Sequence, residues 1–277
     1  MNATPIHDTS RLCIHTQTTK PLSLEACCQG FSRIGAGGIT VWRNALEGRP
    51  LAESKQILDD SGLEVVSLCR GGFFPAHTLA DRQKAIDENK AIIDEAAAIG
   101  APLIVLVVGA VPGIPLVEAR KQIRDGIAAC LEHAQAAGVK LAIEPLHPMY
   151  AGDRSAVTTL AQANDMAESL NHDFIGVAVD VYHLWMDDRL EQEIYRCGGG
   201  GNLFAFHICD WKCPTTDMLL DRGIMGEGCI PVRQIRAWVE ATGFKGFNEV
   251  EIFSSHWWAA DQQQYLDRIR EGYLKHS

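Results

Sequence analysis

The sequence predicts an α/β protein built as a single-domain (β/α)8 barrel over residues 1–277. Short β-branched runs alternate with long amphipathic stretches from one end to the other, as repeated strand–helix units around a parallel sheet require. The units number about eight, which in roughly 250 residues points to a closed barrel. A doubly wound open sheet is the nearest competitor, and it lacks its glycine-rich phosphate turn after the first strand.

The elements follow in order. A strand near Arg11 to His15 leads to a helix over Leu24 to Ile34, and a strand over Gly38 to Arg43 leads to a helix over Leu51 to Asp60. The third strand, Glu64 to Arg70, precedes a helix from Asp81 to Ile99 that Gly100 is placed to terminate. Leu103 to Val108 forms the fourth strand, and the helix from Pro115 to Ala137 stops at Gly138. Lys140 to Glu144 is followed by a helix from Ser155 to Leu170, and Phe174 to Asp180 by a helix around Leu190 to Tyr195. The glycine run Gly198 to Gly201 precedes a strand and opens no helix, so it reads as a flexible loop. Leu203 to Ile208 is paired with a helix from Val232 to Ala241 ended by Gly243, and Phe247 to Phe253 is closed by a helix from about Ala260 to Leu274.

Composition narrows the function. Hydrophobic residues make up 47% and charged residues 22%, which is enough apolar material for a large core. The longest apolar run, near Ala101 to Ala110, is too short for a bilayer span, and MNATPIHDTSR has no secretory pattern, so no membrane partner and a cytoplasmic location are expected. A net charge of −10 argues against nucleic acid and for a small-molecule substrate. Nine cysteines, including the adjacent Cys27 and Cys28, form no C-x-x-C pair and fit reduced thiols. Cys209 and Cys213 read as buried or loop thiols.

Active sites of this fold lie at the C-terminal strand ends. Four strands in succession end in ligand-capable residues: LAIEP in Glu144, GVAVD in Asp180, FAFHICD in His207 and FNEVEIF in Glu251. Alternation places Ala142, Ala178 and Ala205 below three of them on the same face, leaving Ile143, Val179 and Phe206 toward the helices. Three carboxylates gathered without a cation repel one another, and a divalent ion removes that penalty. Carboxylate oxygens with one imidazole suit Mn²⁺ best, with Mg²⁺, Co²⁺ and Zn²⁺ as alternatives. Glu249 and Glu251 share a face; the rim position favours Glu251, and Glu249 then lies deeper and needs a partner. His15, Trp42 and Arg70 also stand at strand ends as candidates to line the pocket, Trp42 stacking on a sugar face or packing into the core. Trp257 and Trp258, after the last strand, suit a lid or a subunit contact.

LAIEPLHP, GVAVDVYHLW, FAFHICDW, DRGIMGEGCIP and GFKGFNEVEIF together resemble the xylose isomerase-like TIM-barrel superfamily, in its sugar phosphate isomerase/epimerase branch, over essentially the whole chain. The resemblance places Glu144, Asp180, His207 and Glu251 on the metal ligands, and counting from Gly243 again favours Glu251 over Glu249. It places His183 and Arg222 on substrate contacts and implies a sugar-like substrate and a homo-oligomer.

The implied chemistry is proton transfer at a carbon beside a carbonyl, through an enediolate whose charge the metal stabilises, with Glu144 and Glu251 as catalytic bases. A monosaccharide or related keto-polyol isomerase/epimerase is the first reading. A lyase, dehydrating a keto-polyol or cleaving a 3-keto-glycoside through the same enediolate, is the alternative. A superfamily endonuclease needs more zinc ligands and a basic groove, and a non-catalytic barrel is the remaining competitor. Relatives of the inosose dehydratase type carry a lysine where this chain has Cys209, which weakens dehydration. His147, in the distinctive LHP, is a substrate-contact or ligand-orienting candidate, or a turn histidine before Pro148. The sequence shows no basic phosphate clamp.

Overall fold

The computed structural model describes residues 4–277. Eight parallel strands close in chain order: β1 (Leu12–His15), β2 (Gly38–Trp42), β3 (Glu64–Gly72), β4 (Leu103–Val107), β5 (Lys140–Ile143), β6 (Ile175–Asp180), β7 (Leu203–Ile208) and β8 (Asn248–Val250), which pairs back onto β1. The long helices between and after them are α1 (Leu24–Arg33), α2 (Leu51–Ser61), α3 (Leu79–Ile99), α4 (Leu116–Ala137), α5 (Leu160–Leu170), α6 (Leu190–Gly199), α7 (Val232–Ala241) and α8 (Gln262–His276). No helix among the described residues is long and apolar enough to cross a membrane.

Alternation along each strand divides the core into two layers. Ile143, Val179 and Phe206 join the large cluster between strands and helices. Ala142, Ala178 and Ala205 fill the barrel interior with Cys69, Leu103 and Val105. Each fully buried leucine or isoleucine of the outer layer contributes about 1.5–3 kcal/mol. The helix ends are also local chemistry: Thr78 caps α3 by accepting from Asp81 N–H, and Gly100 ends it in the left-handed conformation, φ 81°.

Three expectations are corrected. Gly198 and Gly199 belong to the last turn of α6, and a side chain at Gly198 would collide with Thr242 at 2.2 Å, so the end of α6 packs beside the end of α7 through a missing side chain. Residues 155–159 are not helical: Ser155 bridges to Gly109, and α5 starts only after Thr159 caps it. The last strand stops at Val250, and a short five-residue helix over Ser255–Ala259 precedes α8. A hairpin of two-residue strands, Asp210–Trp211 against Arg222–Gly223, and a short helix over Val181–Leu184 are not anticipated from the sequence.

Candidate active site

The barrel register brings the rim residues together. Asp180 ends β6 directly opposite His207 on β7. Glu144 follows β5 with its N–H donating to Leu106 carbonyl at 3.1 Å, and Glu251 follows β8 with its N–H donating to Ile208 carbonyl at 3.2 Å. All four side chains are buried, and one ligand-capable atom from each lies within 4.8 Å of the others.

Their orientation distinguishes this cluster from an ordinary hydrogen-bonded one. His207 Nδ1 and Glu144 Oε1 approach to 2.9 Å, yet neither is aligned as the other's hydrogen-bond partner. Asp180 Oδ1 accepts Tyr182 N–H at 2.6 Å, whereas Oδ2 has no hydrogen-bond partner. Buried polar atoms left this way are destabilising by about 1–3 kcal/mol each unless something satisfies them. Carboxylate oxygens and an imidazole nitrogen converging on one point fit a small hard or borderline cation.

A second layer fixes these groups. Glu249 lies below the cluster and finds the partners it requires: Thr40 Oγ1 donates to its Oε2 at 2.6 Å, and Ser67 Oγ donates at 3.4 Å. His15 Nε2 lies 3.3 Å from the same oxygen. His15 Nδ1 stands 3.1 Å from both Trp42 Nε1 and Glu251 Oε1, so the ring links the Trp42 indole to the two glutamates, Glu249 and Glu251. Arg222 is brought in by the hairpin, its N–H donating to Phe253 carbonyl at 3.0 Å. Its guanidinium donates to Glu251 Oε2 at 2.8 Å, stands 3.5 Å from Asp180 Oδ2 and is packed between the rings of Tyr182 and Phe253.

Electrostatics follow from this packing. Burial pushes the Asp180 carboxyl up, with Arg222 opposing. Burial acts the same way on Glu251, but His15 and Arg222 outweigh it and hold this carboxyl well below its ordinary range. Burial pushes the His207 imidazole down, and the contact with Glu144 and the charge of Glu249 overcome it, raising it to about 10. His183 is driven well below its ordinary value by burial and by Arg222.

A cavity of about 90 Å³ opens over the cluster, lined among others by Glu144, Glu251, His183, Arg222, Trp42 and Arg70. Two expected substrate contacts, His15 and His147, are not among the residues lining it. His15 is fully buried beneath this cavity and does not line it, because its ring bridges Glu249 and the Trp42 indole. His147 is outside the cavity lining: its Nδ1 accepts Met149 N–H at 3.1 Å and its ring stacks on Trp211. Cys209 faces the outer core, where burial raises its thiol.

Several supporting residues were not singled out by sequence reasoning. The hydroxyls of Tyr150 and Tyr182 both donate to Met218 carbonyl, at 3.1 and 2.7 Å, tying the hairpin loop across the cavity. Asp210 accepts four backbone N–H groups, from Trp211, Gly226, Gly228 and Ile230, at 2.8–2.9 Å. Gly228 permits this close approach, since a Cβ there would lie 2.0 Å from Trp211 carbonyl. An aspartate directly after the β7 motif was the available signal; its partners are distant in sequence.

Comparisons with known proteins agree with this architecture. The chain is 24% identical over 283 residues to an inosose isomerase of Halalkalibacterium halodurans, covering 94% of each protein. Its fold superimposes on that of protein SMc04130 from Sinorhizobium meliloti 1021 with a TM-score of 0.93, at 45% identity and over 96% of this chain and 98% of that one. It also superimposes on the IOLI protein with a binding zinc atom, with a TM-score of 0.83, at 20% identity and over 95% and 96% of the two chains. A family model described as xylose isomerase-like TIM barrel matches residues 30–272, a span running from α1 into α8 and taking in the whole rim cluster, so the chain belongs to the xylose isomerase-like TIM barrel family.

Proposed function

We propose that the protein is a divalent-metal-dependent sugar isomerase/epimerase that moves a proton at a carbon beside the carbonyl of a monosaccharide or keto-polyol. Glu144, Asp180, His207 and Glu251 would hold the ion, whose charge would lower the energy of the enediolate formed when the proton leaves. The observation that carries this reading is the convergence of buried ligand atoms on one point, three of them without hydrogen-bond partners. The inosose isomerase relative and the zinc-binding IOLI neighbour support it. The donor set favours Mn²⁺, with Zn²⁺, Mg²⁺ and Co²⁺ as alternatives.

The chain's own groups have distinct tasks. Arg222 orients Glu251 and keeps it ionised, ready to take a proton from carbon. Glu144 stands at the other side of the cluster, since β7 and β6 lie between β8 and β5 in the barrel. A sugar seated between the two carboxylates has one at each face, which favours removal on one face and return on the other, and hence epimerisation. His183 stays uncharged, and its unpartnered Nδ1 is positioned for a substrate hydroxyl.

The test joins elemental analysis of the purified protein with solvent deuterium exchange. The Mn²⁺-loaded enzyme, given neutral and acidic ketoses in heavy water, should place deuterium beside the carbonyl and yield an epimer or isomer. Absence of both a tightly held ion and exchange would refute the reading, and an ultraviolet-absorbing enone would favour the lyase. Ion binding should also be pH-linked. His207 carries a proton up to about pH 10 in the ion-free site, and the ion must displace it. Affinity is therefore expected to rise with pH below that value, by up to about tenfold per unit for each proton released, read by calorimetry in buffers of different ionisation enthalpy.

A further inference from the structure

Two arginines stand at this cavity without a carboxylate partner. Arg70, at the irregularity where β3 shifts register on β4, and Arg154, in the loop after β5, both line the 90 Å³ space above the rim residues. Among the described residues neither forms an ion pair: Arg70 lies over the Phe73 ring and Arg154 over the Tyr150 ring. Arg82, Arg120, Arg233 and Arg270 are likewise without an ion pair among the described residues, but none of them lines this cavity, whereas Arg222, which does, is matched to Glu251. Burial, and next the charge of Arg154, weaken the hold of Arg70 on its proton, with Cys69, Glu144 and Glu251 opposing, so the two cations act on one another unfavourably. Arg70 also lines a neighbouring cavity of about 520 Å³ that shares Trp42 and Phe253 with the inner one and contains Gln17 and Asn44.

Resting on the sugar reading above, we propose that the substrate carries an oxyanion, a carboxylate or phosphate monoester, which Arg70 and Arg154 bind while the reacting carbons lie at the Glu144–Glu251 end. An anion between the guanidiniums converts their repulsion into charge-assisted hydrogen bonds, and the aromatic rings beneath hold both in place. No sequence motif announces the pair, because its members lie on different strand-end loops.

Calorimetry on the Mn²⁺-loaded protein with D-fructuronate, D-fructose 6-phosphate and D-fructose tests the assignment. At least one acidic ketose should bind 10- to 100-fold more tightly than fructose, with a preference that falls as salt rises. The double variant R70Q/R154Q should bring the acidic-to-neutral ratio close to one, and R70K/R154K should restore part of it. Whichever acidic ketose binds more tightly identifies the oxyanion as carboxylate or phosphate. Equal affinity for all three, failure of every ligand to bind, or a ratio unmoved in R70Q/R154Q would overturn the proposal. If fructose alone binds and exchanges deuterium, the isomerase/epimerase reading stands while this one fails.

Discussion

Glu251→Gln should fold normally and lose turnover by about 10²- to 10⁴-fold, the span a positioned general base contributes. The amide keeps the shape and an oxygen that can face a cation, but it cannot accept a proton. Arg222, which donates to Glu251 at 2.8 Å, still has Asp180 at 3.5 Å, so removing the charge leaves the guanidinium a counter-ion. Glu144→Gln separates the outcomes further. If the two carboxylates work from opposite faces, this variant should uncouple deuterium exchange from epimer formation; if Glu251 alone shuttles the proton, both should persist together. Turnover and exchange by NMR, with circular dichroism to verify folding, decide between these. Glu251→Gln retaining more than a tenth of wild-type turnover would remove its role as base.

Asp210→Ala should produce the largest loss of stability of a single rim substitution outside the metal cluster. Its carboxylate accepts four backbone N–H groups that gather the segment from Gly226 to Ile230 against Trp211. Charge-assisted bonds contribute about 1.5–3 kcal/mol each, and partial rescue by water leaves an expected net loss of about 4 kcal/mol. For a chain of this size that corresponds to a fall in Tm on the order of 10 °C. Asp210→Asn keeps one accepting oxygen and should lie between the two. Thermal unfolding followed by circular dichroism measures both, and a melt within about 2 °C of wild type for the alanine variant would show that these bonds do not hold the segment.

The barrel was legible because its strands and helices carry period-2 and period-3.6 patterns long enough to read. The rim cluster was legible for a related reason: a polar residue two places after an inward alanine, as in Ala142–Glu144 and Ala178–Asp180, marks where the interior becomes a mouth. Other features lacked such a pattern. Arg222 reaches Glu251 through strands of only two residues, too short for any periodicity. Residues 155–159 are mostly β-branched or hydroxyl-bearing and poor helix formers, so the start of α5 was placed too early; the Ser155 contact with Gly109 holds them outside the helix. Gly198 looked like a loop until Thr242 packed against it. Arg154 and Tyr150 acquire their roles only when loops after different strands meet above the barrel.

Ala142, Ala178 and Ala205 carry no charge and are fully enclosed, packed with Cys69, Leu103 and Val105 in the tier directly beneath the reactive rim. Lengthening any of them by a few carbons would overfill that tier and push on the rim residues above, without altering a single ionisable group. The spacing of the rim thus depends on an uncharged tier of the same staves, whose side-chain volume can drift while the ionisable residues are held constant.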